Sequence, residues 1–295
     1  MKKTILINIP KDNFNYPDIK KYQNKFTIVF NKLNKKINKK KIFAIIAGVE
    51  KFSKKEIDTY PNLRIISRFG TGTDNIDIDY ANKKKIKILR TRVEPVLPTA
   101  ELTIAFIFLI LKKLYSNLNT LKKKKWFQYQ GNNLRGRVVG IYGFGLIGSM
   151  VGNLLSNLGC KIYFYDTRDI KHGKFKQVSF NRLLKYSDII CIHANFTKDQ
   201  YNVFNKNSLK KMKKNCIFLN TARGGFVDEL ALFNHLKRNK NFYAGFDCFK
   251  KEPYKGKLLD LPNFFATSHI SSNTYESRKE MSKKSFLNVI KNFNL

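Results

Sequence analysis

Glycines at 143, 145 and 148 stand where an apolar run, Val138 to Tyr142, meets a helical stretch reaching about Leu158, and the next apolar run ends in Asp166, about 20 residues on. In such a GxGxxG pattern the first glycine permits a tight turn and the second lets the backbone approach a pyrophosphate. The third lets the helix pack on the sheet while its N-terminus faces the anion. Gly143, Gly145, Leu146, Ile147 and Gly148 are therefore the expected phosphate-binding residues. A carboxylate at Asp166 would accept hydrogen bonds from ribose hydroxyls and repel a 2′-phosphate, which favours NAD over NADP, although Arg168 nearby works against that preference. The glycines alone are a weak signal. Strand, glycines, helix and acid in this order make a dinucleotide site a better reading than a bare turn.

Three further segments each place a polar side chain just past an apolar strand. They are Asn220-Thr221-Ala222-Arg223-Gly224-Gly225, Asp247-Cys248-Phe249-Lys250-Lys251-Glu252-Pro253 and Thr267-Ser268-His269-Ile270. Ligands of doubly wound sheets sit beyond the carboxyl ends of the strands, so Arg223, Glu252 and His269 are expected to converge over a nicotinamide. Taken one at a time, such residues are usually surface residues. His193 also ends an apolar run, as a cofactor-pocket residue or as a satisfied structural histidine. His172 and His235 read as exposed loop and helix residues.

With Ser67-Arg68-Phe69-Gly70-Thr71-Gly72-Thr73-Asp74-Asn75-Ile76-Asp77 and Leu134-Arg135-Gly136 added, the chain resembles the D-isomer-specific 2-hydroxyacid dehydrogenases over most of its length. That family contains phosphoglycerate, glycerate and D-lactate dehydrogenases. The resemblance implies two Rossmann-like α/β domains, NAD as cofactor, a small 2-hydroxy or 2-keto acid as substrate, and a homodimer formed through the NAD domain. It assigns Arg223 to the substrate carboxylate and carbonyl oxygen, which suits a planar cation that stays protonated. His269 becomes the acid/base, since imidazole donates and accepts protons near neutrality. Glu252 holds the other ring nitrogen, and Asp247 holds the nicotinamide carboxamide. Thr221 and Ala222 join the cofactor site, and Gly70, Thr71, Gly72 and Thr73 present backbone N–H groups to the substrate carboxylate. Arg68 points to substrate or to an internal carboxylate. Two departures stand out. Ser268 occupies a position where the family usually has proline, and the loop Ala47-Gly48-Val49-Glu50 lacks the arginine common in phosphoglycerate-specific members, so Glu50 would disfavour a substrate phosphate.

The elements that must position these residues read as short β-rich runs alternating with helical stretches, the pattern of parallel sheets flanked by helices. A first block has runs at Ile5–Ile9, Phe26–Phe30, Ile42–Ala47, Arg64–Ser67 and Ile86–Leu89, with a helical segment at Ser53–Thr59. Pro95 and Pro98 then break the chain. Thr99 is expected to cap one long helix running to about Leu121 and crossing between domains. The second block has runs at Val138–Tyr142, Lys161–Tyr165, Asp188–His193, Cys216–Asn220, Phe242–Phe246 and Phe264–Thr267, and a last helix follows Ser272. The expected division is a substrate domain of residues 1–97 plus 272–295, with the NAD domain, 98–271, inserted and catalysis in the cleft. The chain ends soon after the last helix, which reads as a short form without a regulatory domain.

Composition bounds the alternatives. The 295 residues are 43% hydrophobic and 14% aromatic, enough for a sizeable core, and exclude disorder, collagen and coiled coil. Lys and Arg number 57 against 21 Asp and Glu, a formal charge of +36. The basic residues are spread in short runs such as Lys122–Lys125, so they read as solvated faces, not as a nucleic-acid site. Four cysteines without metal spacing read as buried free thiols. No signal peptide or membrane span is evident, and a cytoplasmic location is the simplest expectation. Two other functions compete: a catalytically silent NAD-sensing or corepressor-like protein on the same scaffold, which would not need Arg223, Glu252 and His269 together, and a nucleic-acid binder.

Overall fold

A computed structural model describes residues 2–31, 37–91 and 93–293. The chain divides into two compact units, Met1–Pro95 with Ser272–Leu295, and Val96–Ser271. The first unit holds a parallel sheet of β1 (Lys3–Asn8), β2 (Phe26–Phe30), β3 (Ile42–Ala47), β4 (Ile65–Arg68) and β5 (Lys87–Arg90), in the order β2-β1-β3-β4-β5. Its central strand, Ile-Phe-Ala-Ile-Ile-Ala, is buried at every position, as expected of a strand covered on both faces. Short helices α1 (Lys54–Asp58) and α2 (Ile78–Lys83) connect the strands. A capping box between Ser53 and Glu56 starts α1, and Asp77 caps α2 by accepting from the Tyr80 N–H. The C-terminal helix, Tyr275–Lys291, returns to this unit and buries Met281, Phe286 and Val289 with Ile5, Ile7 and Phe43.

The second unit begins with α3 (Val96–Leu111) and α4 (Leu114–Lys122). The helix expected from Thr99 to Leu121 is thus two helices, and Thr99 does not cap it. Pro98 sits in the first turn of α3, where a missing N–H costs nothing, and Thr99 is buried one residue further in. Lys113 then takes a left-handed conformation, φ 48°, which ends the helical path before α4.

Beyond α4 a seven-stranded parallel sheet runs β12-β11-β10-β9-β6-β7-β8. Its strands are β6 (Val138–Tyr142), β7 (Lys161–Tyr165), β8 (Lys176–Gln177), β9 (Ile189–Ile192), β10 (Ile217–Asn220), β11 (Tyr243–Phe246) and β12 (Phe264–Ala266). Helices α5 (Leu146–Asn157), α6 (Phe180–Tyr186), α7 (Lys206–Lys211) and α8 (Glu229–Arg238) alternate with them. The two-residue β8 carries no apolar run, which is why its sequence gives no strand signal. One face of the sheet is covered by a cluster that includes Phe204, Phe218, Phe226, Phe242 and Phe246, all essentially inaccessible to solvent. The other face packs under α3 and α5 through Phe106, Ile107, Ile141, Val151 and Phe164. All four cysteines are buried. No helix among the described residues is long and apolar enough to cross a membrane.

β6 pairs with β9 on one side and β7 on the other, so the strand order reverses there and opens a crevice at the carboxyl ends. Asp188 fastens the opposite end of the same pair. Its carboxylate accepts from the Val138 N–H at 2.8 Å and from Lys213 Nζ at 2.7 Å. Burial opposes ionisation, but Lys213 and the Val138 N–H outweigh it and hold the carboxyl below its usual range. Stabilisation from such a group is complete above the unfolded-state value of about 3.9 and is lost as pH falls through the lower folded value. Asp188→Asn should therefore cost about 1–3 kcal/mol at pH 7. In urea denaturation the difference from the native chain should shrink below about pH 4. A pH-independent difference would mean that packing, not charge, explains the loss.

Candidate active site

The turn from β6 into α5 shows a separate use for each glycine. Gly143 has φ 91°, and a Cβ there would overlap the backbone of Ala194. A Cβ on Gly148 would overlap the Gly143 carbonyl, so α5 can approach its own entry loop only without one. Gly145 differs from both. It caps α5 with φ −88° and ψ −155°, values open to any residue, and nothing lies within 4 Å of a Cβ placed on it. The open space lies at the N-terminus of a 12-residue helix, where N–H groups of the first turn lack intrahelical partners. The cradle has the open space and the helix N-terminus that a pyrophosphate needs, and the N–H groups of Leu146 and Ile147 lie in that first turn.

Asp166 ends β7 beside this turn. The Phe144 N–H donates to its Oδ2 at 2.8 Å, while Arg168 donates to Oδ1 from its backbone and from Nε at 3.0 and 2.9 Å. The carboxylate is 9% exposed and the guanidinium 66%. Burial opposes ionisation, yet Arg168 and the Phe144 N–H hold the carboxyl below its usual range. Arg168 is thus folded over the acid that a ribose would use, a contact the sequence did not specify.

At the ends of β10, β11 and β12 three loops come together. Asn220 is fully buried and bridges the first of them, its Oδ1 accepting from the Ala222 N–H and its Nδ2 donating to the Arg223 carbonyl. The motif alone gives it no role, although the sequence carries a signal for one, since an Asn side chain readily bonds backbone two residues on. Thr221 lies 3.1 Å from the Thr103 hydroxyl and 3.5 Å from His193 Nδ1. Gly224 lets this loop rest on the next one, because a Cβ there would overlap the backbone of Phe249 and Lys250. The second loop carries Glu252, whose Oε1 accepts from the Phe249 N–H at 3.0 Å.

Glu252 Oε2 and His269 Nδ1 are 2.8 Å apart, and both side chains remain about one-third exposed, at 35% and 31%. Burial works against a charged Glu252, but His269, the Phe249 N–H and the field of Arg223 together bring its carboxyl below the usual range. Arg223, Glu252 and His269 are therefore brought together as a cation, a carboxylate and an imidazole. His269 itself has φ 57°, left-handed and uncommon for a side chain of this size. Asp247 holds it there. This carboxylate has no exposed surface and accepts from the Thr267 hydroxyl at 2.6 Å, the Ile270 N–H at 2.7 Å and the Ser271 N–H at 2.9 Å. The side chain that the resemblance assigns to the nicotinamide carboxamide also braces the histidine loop.

In the first unit, Gly70 has φ 136° and its N–H donates to the Thr91 hydroxyl at 2.8 Å. It does not present that N–H to a ligand, leaving Thr71, Gly72 and Thr73 for the role. Arg68 is buried with Nη1 donating to the Phe69 carbonyl and, at 3.4 Å, to that of Ala47. His193 is buried, and burial lowers its pKa to about 3, so the ring is neutral. His172 and His235 are half-buried instead of exposed. The former stacks on Phe175 and accepts its N–H, and the latter packs edge-on against Phe242.

The family model for the NAD-binding domain of D-isomer specific 2-hydroxyacid dehydrogenases matches residues 104–271. A hydroxypyruvate reductase of Thermotoga maritima is 34% identical over 244 residues, 80% of this chain and 80% of that protein. A glyoxylate reductase of Thermococcus litoralis is 33% identical over 255 residues, 82% of this chain and 77% of that protein. Among solved structures, D-lactate dehydrogenase of Aquifex aeolicus, complexed with NAD and lactic acid, superposes with a TM-score of 0.87 at 26% identity. The match covers 99% of this chain and 95% of that one.

The glycines separate folding from binding. Gly143→Ala should destabilise the protein by at least the 1–3 kcal/mol typical of a strained backbone, roughly, because its Cβ also meets Ala194. Gly145→Ala should melt within about 0.5 kcal/mol of the native protein, yet bind NADH more weakly in a fluorescence titration. Unchanged NADH affinity in Gly145→Ala would remove the pyrophosphate from this loop.

Proposed function

This chain belongs to the family of D-isomer specific 2-hydroxyacid dehydrogenases, and from that premise we propose that it reduces small 2-keto acids to 2-hydroxy acids with NADH, using Arg223, Glu252 and His269. The observation that carries the reading is the 2.8 Å contact between Glu252 and His269 Nδ1. A carboxylate on Nδ1 fixes the ring so that Nε2 faces the reaction, and it stabilises the imidazolium. His269 Nε2 then gives its proton to the substrate's C2 oxygen and recovers it in the reverse direction. Arg223 pairs with the substrate carboxylate and polarises the carbonyl. When bound, the nicotinamide supplies or accepts the hydride. We assign substrate recognition to the first unit, with Thr71, Gly72 and Thr73 as its anion-binding residues.

The hydroxypyruvate and glyoxylate reductases among the relatives support a substrate of two or three carbons, and Glu50 argues against a phosphorylated one. NADH oxidation should proceed with glyoxylate or hydroxypyruvate and exceed that with phosphohydroxypyruvate. His269→Ala should lose about 100-fold or more in kcat, the contribution of a positioned acid/base. The NADH preference rests on Asp166 and should narrow in Asp166→Ala. NADH binding without turnover across a broad keto-acid panel would sink the enzyme reading and leave NAD sensing.

The second copy expected in a homodimer has a surface to cover. Leu114, Tyr115, Leu118 and Leu121 of α4 are exposed, and Trp126, at 85%, and Phe127 follow. Such a patch is unusual on a protein that remains alone in solution. We place the dimer contact here. Light scattering should give a dimer mass for the native chain and a monomer mass for Leu118→Glu; a native monomer would refute the contact.

A further inference from the structure

Cys248 lies between the loop-bracing Asp247 and the Glu252 segment, and the reaction proposed above leaves it unused. Its Sγ, a Glu252 carboxylate oxygen and a His269 ring nitrogen all lie within 4.8 Å of one another. Among the described residues, no other group of three such ligand atoms comes together. The cysteine is 1% exposed and forms the floor, while glutamate and histidine are open to solvent above it. An ion therefore has an entry path and a buried soft ligand at its end.

We propose that Cys248, Glu252 and His269 form a binding site for a zinc-class divalent ion, and that its occupancy shuts off the acid/base pair. Thiolate, imidazole and carboxylate are the ligand types zinc takes, with a solvent molecule in the fourth position. Tetrahedral bonds of about 2.0–2.3 Å put neighbouring ligand atoms roughly 3.5 Å apart. Glu252 and His269, at 2.8 Å, would open slightly to admit the ion, and the thiol, within 4.8 Å of both, would close by roughly 1.3 Å at most to reach that spacing. On binding, the thiol releases its proton to solvent, Nδ1 coordinates the ion, and the ring keeps its remaining proton on Nε2. A ring whose Nδ1 holds a metal cannot become the imidazolium that protonates substrate, and its carboxylate partner is occupied as well. Electrostatics adds selectivity. Arg223 acts on Glu252 from nearby and the whole chain carries +36, so one carboxylate would hold a hard cation such as Mg²⁺ poorly. The second negative charge comes from the thiolate, which favours the softer ions.

The inhibition rests on the reaction proposed above, whereas binding can be read without it. Tag-free protein is titrated with Co²⁺, and Zn²⁺ is tested separately against NADH oxidation, in the native chain and in Cys248→Val. Valine fills a similar buried volume, and Cys248→Ser serves if it does not fold. The native chain should bind one Co²⁺ with the near-ultraviolet charge-transfer absorption of a cobalt–thiolate bond, and the variant should show none. The variant should keep native turnover while needing roughly 10–100-fold more Zn²⁺ for half-inhibition, at least what losing an outer-shell partner costs; Mg²⁺ should affect neither. The other three cysteines belong to no such cluster, and burial pushes their thiols up. No cobalt–thiolate absorption, or equal Zn²⁺ sensitivity in both proteins, overturns the site. If no keto acid turns over at all, the enzyme reading fails and the absorption alone decides the metal site.

Discussion

One buried carboxylate holds the candidate active site in its arrangement. Asp247 leaves β11 with no solvent contact and gathers a hydroxyl and two backbone N–H groups from the loop after β12. An acid can remain in such a place only if its oxygens are satisfied, and here the donors come from both sides of His269. Those bonds fix the left-handed backbone of His269, and that backbone aims the ring at Glu252. The histidine's position is thus dictated by a carboxylate bonded to residues on either side of it.

The remaining constraints are absences of side chain. Gly224 lets the Arg223 loop lie against the loop of Glu252, Gly148 lets α5 close on the turn after β6, and Gly143 lets that turn approach Ala194. Each contact brings backbones closer than any Cβ allows. The aromatic core beneath is the counterpart: Phe204, Phe218, Phe226 and Phe246 fill one face of the sheet with large rigid rings, so the strand ends have little room to shift.

The parallel sheets, the dinucleotide turn and the three loops were legible in the sequence because each rests on local signals. Apolar runs mark buried strands, glycines mark turns, and polar residues follow strand ends. What escaped was set by contacts distant in sequence or by single backbone angles. The left-handed Lys113 that splits α3 from α4 lies in a stretch whose composition stays helical throughout. The Thr91 hydroxyl that takes the Gly70 N–H is 21 residues away. Arg168 folding onto Asp166 is a rotamer choice, and the bonds from Asp247 to the histidine loop reach residues 20 to 24 positions further along the chain. Asn220 is the exception, since its short-range bridge to Ala222 is of a kind sequence can suggest.

The strong basic charge sharpens what the few acids are for. With 21 carboxylates against 57 cations, surface pairing could absorb every acid. Yet several accept from backbone N–H groups at strand ends and helix starts: Asp166 from Phe144, Asp188 from Val138, Asp247 from Ile270 and Ser271, Glu252 from Phe249, and Asp228 from Ala231 at the cap of α8. A lysine cannot substitute, because an ammonium offers no acceptor. Acid residues are therefore concentrated where backbone geometry has to be fixed, while lysine spreads over the solvent-facing turns. For Asp166, Asp188 and Glu252, whose carboxyls are held below the usual range, protonation would release those same backbone contacts, so order and acid sensitivity have one physical origin there.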